Sequence, residues 1–279
     1  MPMIESKKIL SKSFIISIAC LLVSSCSSQP GKPTMKISAT SNELAVGELL
    51  HQQIIHDFQP LVGTELHAYV QSIATALSKN AGRKLNYETV ILKDERIYAI
   101  SAPGGKIYIT TSFLSFLKNE SELAAVLGHE IGQLQYLDPQ FNPVKKTVLG
   151  VAKTGQMVAP FFGQFGALAA LGLVALQAAY ARDPNLETRM QASDRWAMEH
   201  LLEEKYDPQA LLSVLEHFAK YDRQALSLFY DYYQSRPITV ERLRAAHAEF
   251  KKLNLEGLDL KTNVGQYQEK IESLRINTT

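Results

Sequence analysis

Only two cysteines occur in the 279 residues, Cys20 and Cys26. Nothing after Cys26 can form a disulfide, so the body of the chain must be held by packing alone. Charge of one sign is missing too: 29 basic residues against 28 acidic ones leave a formal net charge of +1. With no basic stripe, this balance excludes a nucleic-acid surface. No segment recurs at the period of a solenoid, which excludes a repeat array. A body of roughly 250 residues behind the N-terminal region is long enough to bury a core without staples.

The deficit that carries most information is a single histidine. Gly128-His129-Glu130-Ile131-Gly132-Gln133 is one residue short of the H-E-x-x-H signature of a helical zinc hydrolase. In the intact motif two histidines at i and i+4 bind zinc from one helix face, and the glutamate between them is the general base. Gln133 stands where the second histidine should be. The motif lies on a predicted helix: Asn119 is a candidate cap with Glu122 three residues later, and Leu123, Val126, Leu127, Ile131 and Leu134 follow at helical spacing. That pattern predicts an amphipathic helix with His129 and Gln133 side by side. Upstream, residues 85–94, 96–101 and 106–111 read as short strands, with Ala102-Pro103-Gly104-Gly105 as the turn between the last two.

Several blocks in this order resemble the zinc endopeptidase family that includes HtpX, the mitochondrial Oma protease, the CAAX prenyl endopeptidases and the periplasmic lipoprotein proteases BepA and LoiP. Tyr98-Ala99 followed by Pro103-Gly104-Gly105-Lys106-Ile107-Tyr108 is similar to the family's edge strand. Asn119 to Glu130 is similar to its active-site helix. Ala192-Ser193-Asp194-Arg195-Trp196-Ala197, leading to Tyr206-Asp207-Pro208, is similar to its later aspartate block. The resemblance covers about Leu49 to Ala245. It implies an α+β fold, a mostly helical zincin-type domain with a small antiparallel-edged sheet beside the motif helix. It also implies zinc as cofactor, Glu130 as general base and Asp194 as the partner that orients a metal histidine. Substrate would add to the edge strand at Gly104, Gly105, Ile107 and Ile109.

The departures from that pattern fall on the metal side. His129 is retained, but Gln133 and Met190 occupy the second and third ligand positions, and Arg236 stands where the family carries a histidine before Pro237. A neutral amide and a thioether are poor zinc donors, and the set has lost its only carboxylate. Glu187, one helical turn before Met190, is a possible replacement ligand. Arg236 is expected to fill the vacated space and pair with Glu130 or Asp194, with a solvated loop position as the alternative. None of the other histidines has ligand spacing to His129, so they are expected to be surface or hydrogen-bonded groups.

Residues 1–25 read as a secretion signal: Lys7, Lys8 and Lys12 precede a short apolar run and then Val23-Ser24-Ser25-Cys26. That last stretch resembles a bacterial lipobox, which would make Cys26 a lipidated first residue on the periplasmic face of the outer membrane. Cys20 is the weaker candidate, and a plain anchor or soluble secreted protein is the alternative. Residues 26–45 then read as a tether, 46–250 as the metallopeptidase-like domain, and 251–279 as a C-terminal helix or tail. Met157 to Ala181 is apolar and rich in Ala and Gly. It reads as a buried or lid-like hairpin, with a membrane-surface element or a span as alternatives. The expected role is a metal-poor, inactive relative that binds unfolded or extended envelope polypeptides in quality control. An active zinc endopeptidase and a structural scaffold are the competing readings.

Overall fold

The computed structural model describes residues 40–137, 176–177, 180, 183–221 and 237–276. Cys26 and the signal lie outside them, as do Arg236 and nearly all of Met157 to Ala181. Four strands form one mixed sheet in the order β1-β2-β4-β3, with β1 at Pro60–Leu61, β2 at Glu88–Leu92, β3 at Ala99–Ala102 and β4 at Lys106–Thr110. β1 and β3 run antiparallel to their neighbours, whereas β2 and β4 are parallel, with Glu88 opposite Lys106.

This order corrects the sequence expectation about the edge. β4 lies inside the sheet, and its Ile107 and Ile109 are fully buried. Its backbone groups are taken up by ladders on both sides, so Ile107 and Ile109 have none left for a substrate strand. The Gly104-Gly105 turn is covered as well. A Cβ on Gly105 would lie 2.4 Å from the Asn86 carbonyl oxygen, and one on Gly47 of the first helix would lie 1.9 Å from that of Pro103. Among the described residues the edge strand beside the motif helix is β3, whose own residues are 0–1% exposed.

Helix α1, Ser41–Asp57, packs on one face of the sheet, where His51 meets the Tyr108 hydroxyl at 3.0 Å. Its first turn, Ser41 to Ala45, falls within the stretch expected to be tether. Helix α2, Glu65–Ser78, lies on the opposite face, and α3, Thr111–Phe116, follows β4 directly. Helix α4, Glu120–Gln135, carries the motif. Its predicted cap is present: the Asn119 side chain accepts the Glu122 N–H at 2.9 Å. Its amphipathic character is not, because every residue from Glu120 to Gln135 is buried. Helices α2, α5 (Leu186–Glu203) and α6 (Gln209–Tyr221) and strand β3 surround it.

Helix α7 spans Val240–Phe250 and α8 spans Val264–Ile276. The C-terminal stretch is thus no tail: Tyr267 and Ile271 are fully buried in the core. The approach to α8 also caps α4, since the Thr262 and Lys261 carbonyls accept from the Glu120 N–H and the Ser121 hydroxyl at 3.1 and 2.6 Å. No described helix is long and apolar enough to cross a membrane.

Candidate functional site

The site forms where α4 crosses α5, and two glycines make the crossing close. A Cβ on Gly128 would meet Ala197 at 3.2 Å, and one on Gly132 would meet the Ser193 backbone at 2.9 Å. Their one-turn spacing sets His129 and Gln133 of α4 beside Met190, Ser193 and Asp194 of α5. His129, Gln133 and Met190 are 3, 0 and 0% exposed.

The His129 Nδ1 lies 2.7 Å from Asp194 Oδ1. Burial pushes the imidazole below the usual histidine range, against the pull of the Asp194 charge. A neutral ring donates its Nδ1–H to the carboxylate and turns the Nε2 lone pair toward Gln133. The Gln133 Nε2 sits 3.3 Å from that nitrogen, 2.9 Å from Ser193 Oγ and 3.5 Å from Met190 Sδ. Ser193 gives its own hydroxyl hydrogen to the Arg189 carbonyl, so it is an acceptor for the amide. The carboxamide therefore places an N–H on the histidine lone pair that a metal ion would need. Gln133 Oε1, also buried, has no hydrogen-bond partner among the described residues.

Zinc does not fit this donor set. One imidazole, one amide and one thioether supply no anionic ligand. Among the described residues no group of three His, Cys, Asp or Glu side chains could hold a metal ion. Glu187, the possible replacement, is engaged elsewhere: its Oε1 accepts from Gln191 and from the Thr239 hydroxyl, both at 2.9 Å.

Asp194 is paired with an arginine that sequence reasoning passed over. Arg242 of α7 donates from Nε to Oδ2 at 2.7 Å and from NH2 to Oδ1 at 2.9 Å, a two-bond grip on a carboxylate 1% exposed. Burial would push the Asp194 carboxyl up, but the Arg242 charge, with His129 behind it, holds it well below the usual carboxylate range. Arg236, expected to pair with Glu130 or Asp194, lies outside the described residues; the described cation on Asp194 is Arg242, six positions later. A signal was present in the sequence. Arg242 falls on the same stripe of α7 as the buried Ala246, and a charge on the core side of a helix requires a buried partner.

Glu130, the general-base position, is fully buried and faces the sheet. Its Oε2 accepts the Ser101 backbone N–H at 2.8 Å and the Ser101 hydroxyl at 2.9 Å. The Ser101 carbonyl in turn accepts the Tyr180 hydroxyl at 2.7 Å. Neither Ser101 nor Tyr180 was singled out from the sequence, because backbone contacts at a strand edge leave no residue pattern. The remaining histidines are hydrogen-bonded as expected, among them His67 to the Thr89 carbonyl and His200 to the Trp196 carbonyl, both at 2.9 Å.

A His-Glu helix packed under a small sheet, with an aspartate from a later helix orienting the histidine, defines a metallopeptidase-type domain of the α+β class. The chain belongs to peptidase family M48, whose model matches residues 61–249. It is similar to the β-barrel assembly-enhancing protease of Yersinia pestis, 23% identical over 188 residues. The match covers 65% of this chain and 38% of that protein, so the chain corresponds to well under half of that relative's length.

Proposed function

We propose that this protein is an envelope lipoprotein in which an M48 domain has given up metal-dependent proteolysis and binds extended polypeptides instead. The observation that carries the reading is the Gln133 carboxamide on His129 Nε2, within hydrogen-bond reach of Ser193. A neutral N–H donor there satisfies the histidine without a metal, and Met190 adds a neutral thioether 3.5 Å from the same amide nitrogen. Its clients are unfolded or misfolded envelope proteins, taken up by strand addition at the edge of β3. The likeness to a relative named for assisting β-barrel assembly supports strand-forming polypeptides as the client class.

The test uses the purified mature chain. The expected result is well under one zinc per chain by elemental analysis and no cleavage of casein, together with binding of an unfolded polypeptide. A full equivalent of zinc that survives dialysis and is lost in His129→Ala would overturn the reading in favour of an active endopeptidase. For the anchor, mass spectrometry of the mature N-terminus is expected to find acylated Cys26. Cys26→Ala is expected to release the protein into the soluble fraction, because several acyl chains anchor stably where one does not.

A further inference from the structure

An antiparallel ladder alternates residues that bond to the partner strand with residues that face away from it. At the β3–β4 ladder the Thr110 N–H bonds to the Tyr98 carbonyl at 3.2 Å. Residues two apart share that orientation, so Ile100 and Ala102 also face β4, whereas Ala99 and Ser101 turn their backbone groups away from it, on the side where no further strand pairs among the described residues. Such an edge normally meets water or recruits another strand. At Ser101 both groups are already taken. The N–H donates to Glu130 Oε2 at 2.8 Å, and the carbonyl accepts the Tyr180 hydroxyl at 2.7 Å. These are the two bonds that one residue of an added antiparallel strand would make with Ser101, a carbonyl acceptor for the N–H and an N–H donor for the carbonyl.

We infer that Glu130 and Tyr180 together are an internal stand-in for one residue of a bound strand, so that β3 takes up an extended polypeptide only by exchange. The inference rests on the reading of β3 as the client edge. The incoming carbonyl displaces Glu130 from the Ser101 N–H, and the incoming N–H displaces the Tyr180 hydroxyl from the Ser101 carbonyl. The two halves differ in strength. Glu130 is an ionisable acceptor held by two donors of one residue, since the Ser101 hydroxyl adds a bond at 2.9 Å. The Tyr180 hydroxyl bond joins two neutral groups, and the Arg189 guanidinium lies over the ring at 4.6 Å, so removal of the hydroxyl alone frees the Ser101 carbonyl while the ring keeps its place. Exchange of two bonds for two contributes little affinity in itself. Binding is then set by flanking side chains and by how firmly the stand-in is held.

The experiment uses the mature chain, with reduced carboxymethylated lactalbumin as a permanently unfolded probe, followed by fluorescence anisotropy. Tyr180→Phe keeps the ring and removes the competing hydroxyl, and is expected to bind the probe about five-fold more tightly. Amide exchange reads the stand-in without any client. The Ser101 N–H of the free wild-type protein is expected to be protected although it lies on an edge strand, and to lose that protection in Glu130→Ala. Probe binding that is unchanged or weaker in Tyr180→Phe would overturn the inference, as would a Ser101 amide that exchanges freely in the wild-type protein. If neither protein binds the probe while the Ser101 amide is protected as described, the client-edge reading fails and takes the exchange step with it.

Discussion

At the scale of single residues, Asp194 is a buried carboxylate whose neutrality of surroundings depends on Arg242. Removing one partner of a buried ion pair leaves a charge without compensation, so Arg242→Ala is expected to destabilise the fold by about 3–5 kcal/mol in urea denaturation. Arg242→Lys is expected to recover little, because one ammonium cannot reproduce the two-bond grip. Arg242→Met with Asp194→Asn should cost less than the sum of the single changes. Metal binding belongs to this scale as well. Gln133→His with Met190→Glu is expected to rebuild three ligands and raise zinc stoichiometry toward one per chain by elemental analysis. Met190→Glu alone should lower stability without binding zinc, since it buries a carboxylate with no cation beside it. The substitutions at 133 and 190 were legible in the sequence because they interrupt a spacing with one chemical meaning. Ser101 was not, because its role is carried by a backbone N–H that every residue except proline owns.

At the scale of elements, the crossing of α4 and α5 depends on the absence of side chains. Gly132→Ala in an isolated helix would stabilise by roughly 1 kcal/mol. Here the added methyl would lie 2.9 Å from Ser193 backbone atoms, and overpacking of that kind costs about 1–3 kcal/mol. The expected outcome is a net loss of stability on thermal unfolding, with the His129–Asp194 pairing weakened as the helices part. Element existence was legible: the Asn119 cap and the spacing of Leu123, Leu127, Ile131 and Leu134 marked α4, and the Pro-Gly-Gly turn marked the β3–β4 hairpin. The edge expected at Ile107 and Ile109 belongs instead to β3. The uninterrupted run Ile107-Tyr108-Ile109 is the pattern of a strand buried on both faces, and it pointed to the interior position. The burial of α4 on all sides could not be read from its own residues, because Glu120 and Glu122 are polar groups satisfied by distant partners. Glu120 accepts from Tyr69 and Tyr206 at 2.6 and 2.8 Å, and Glu122 accepts from Ser213 at 2.7 Å.

At the scale of the whole molecule, buried phenols tie distant segments together and set an alkaline limit. Burial pushes the Tyr87 hydroxyl up to about 12, against the effect of its bond with Gln135. Burial likewise pushes Tyr69, Tyr108 and Tyr206 above the usual tyrosine range. An unfolded tyrosine ionises near pH ~10, so above that value the unfolded chain releases protons that the folded one retains. Stability from these groups is complete below pH ~10 and declines as pH rises through about 12 for Tyr87. Tyrosine ionisation followed by near-ultraviolet absorbance is expected to coincide with loss of structure rather than precede it. A titration completed near pH ~10 in the folded protein would refute this.

The contacts that Lys261, Thr262 and Asn263 make with the first turn of α4 tie the central helix to a segment far away in sequence. Asn263 donates to Glu120 at 2.8 Å across 143 positions of sequence. A chain cut at the end of α7 would keep Arg242, His129 and Asp194, yet it would lack the carbonyls and the amide that meet Glu120 and Ser121. Such a cut reaches the buried site without removing a single residue of it.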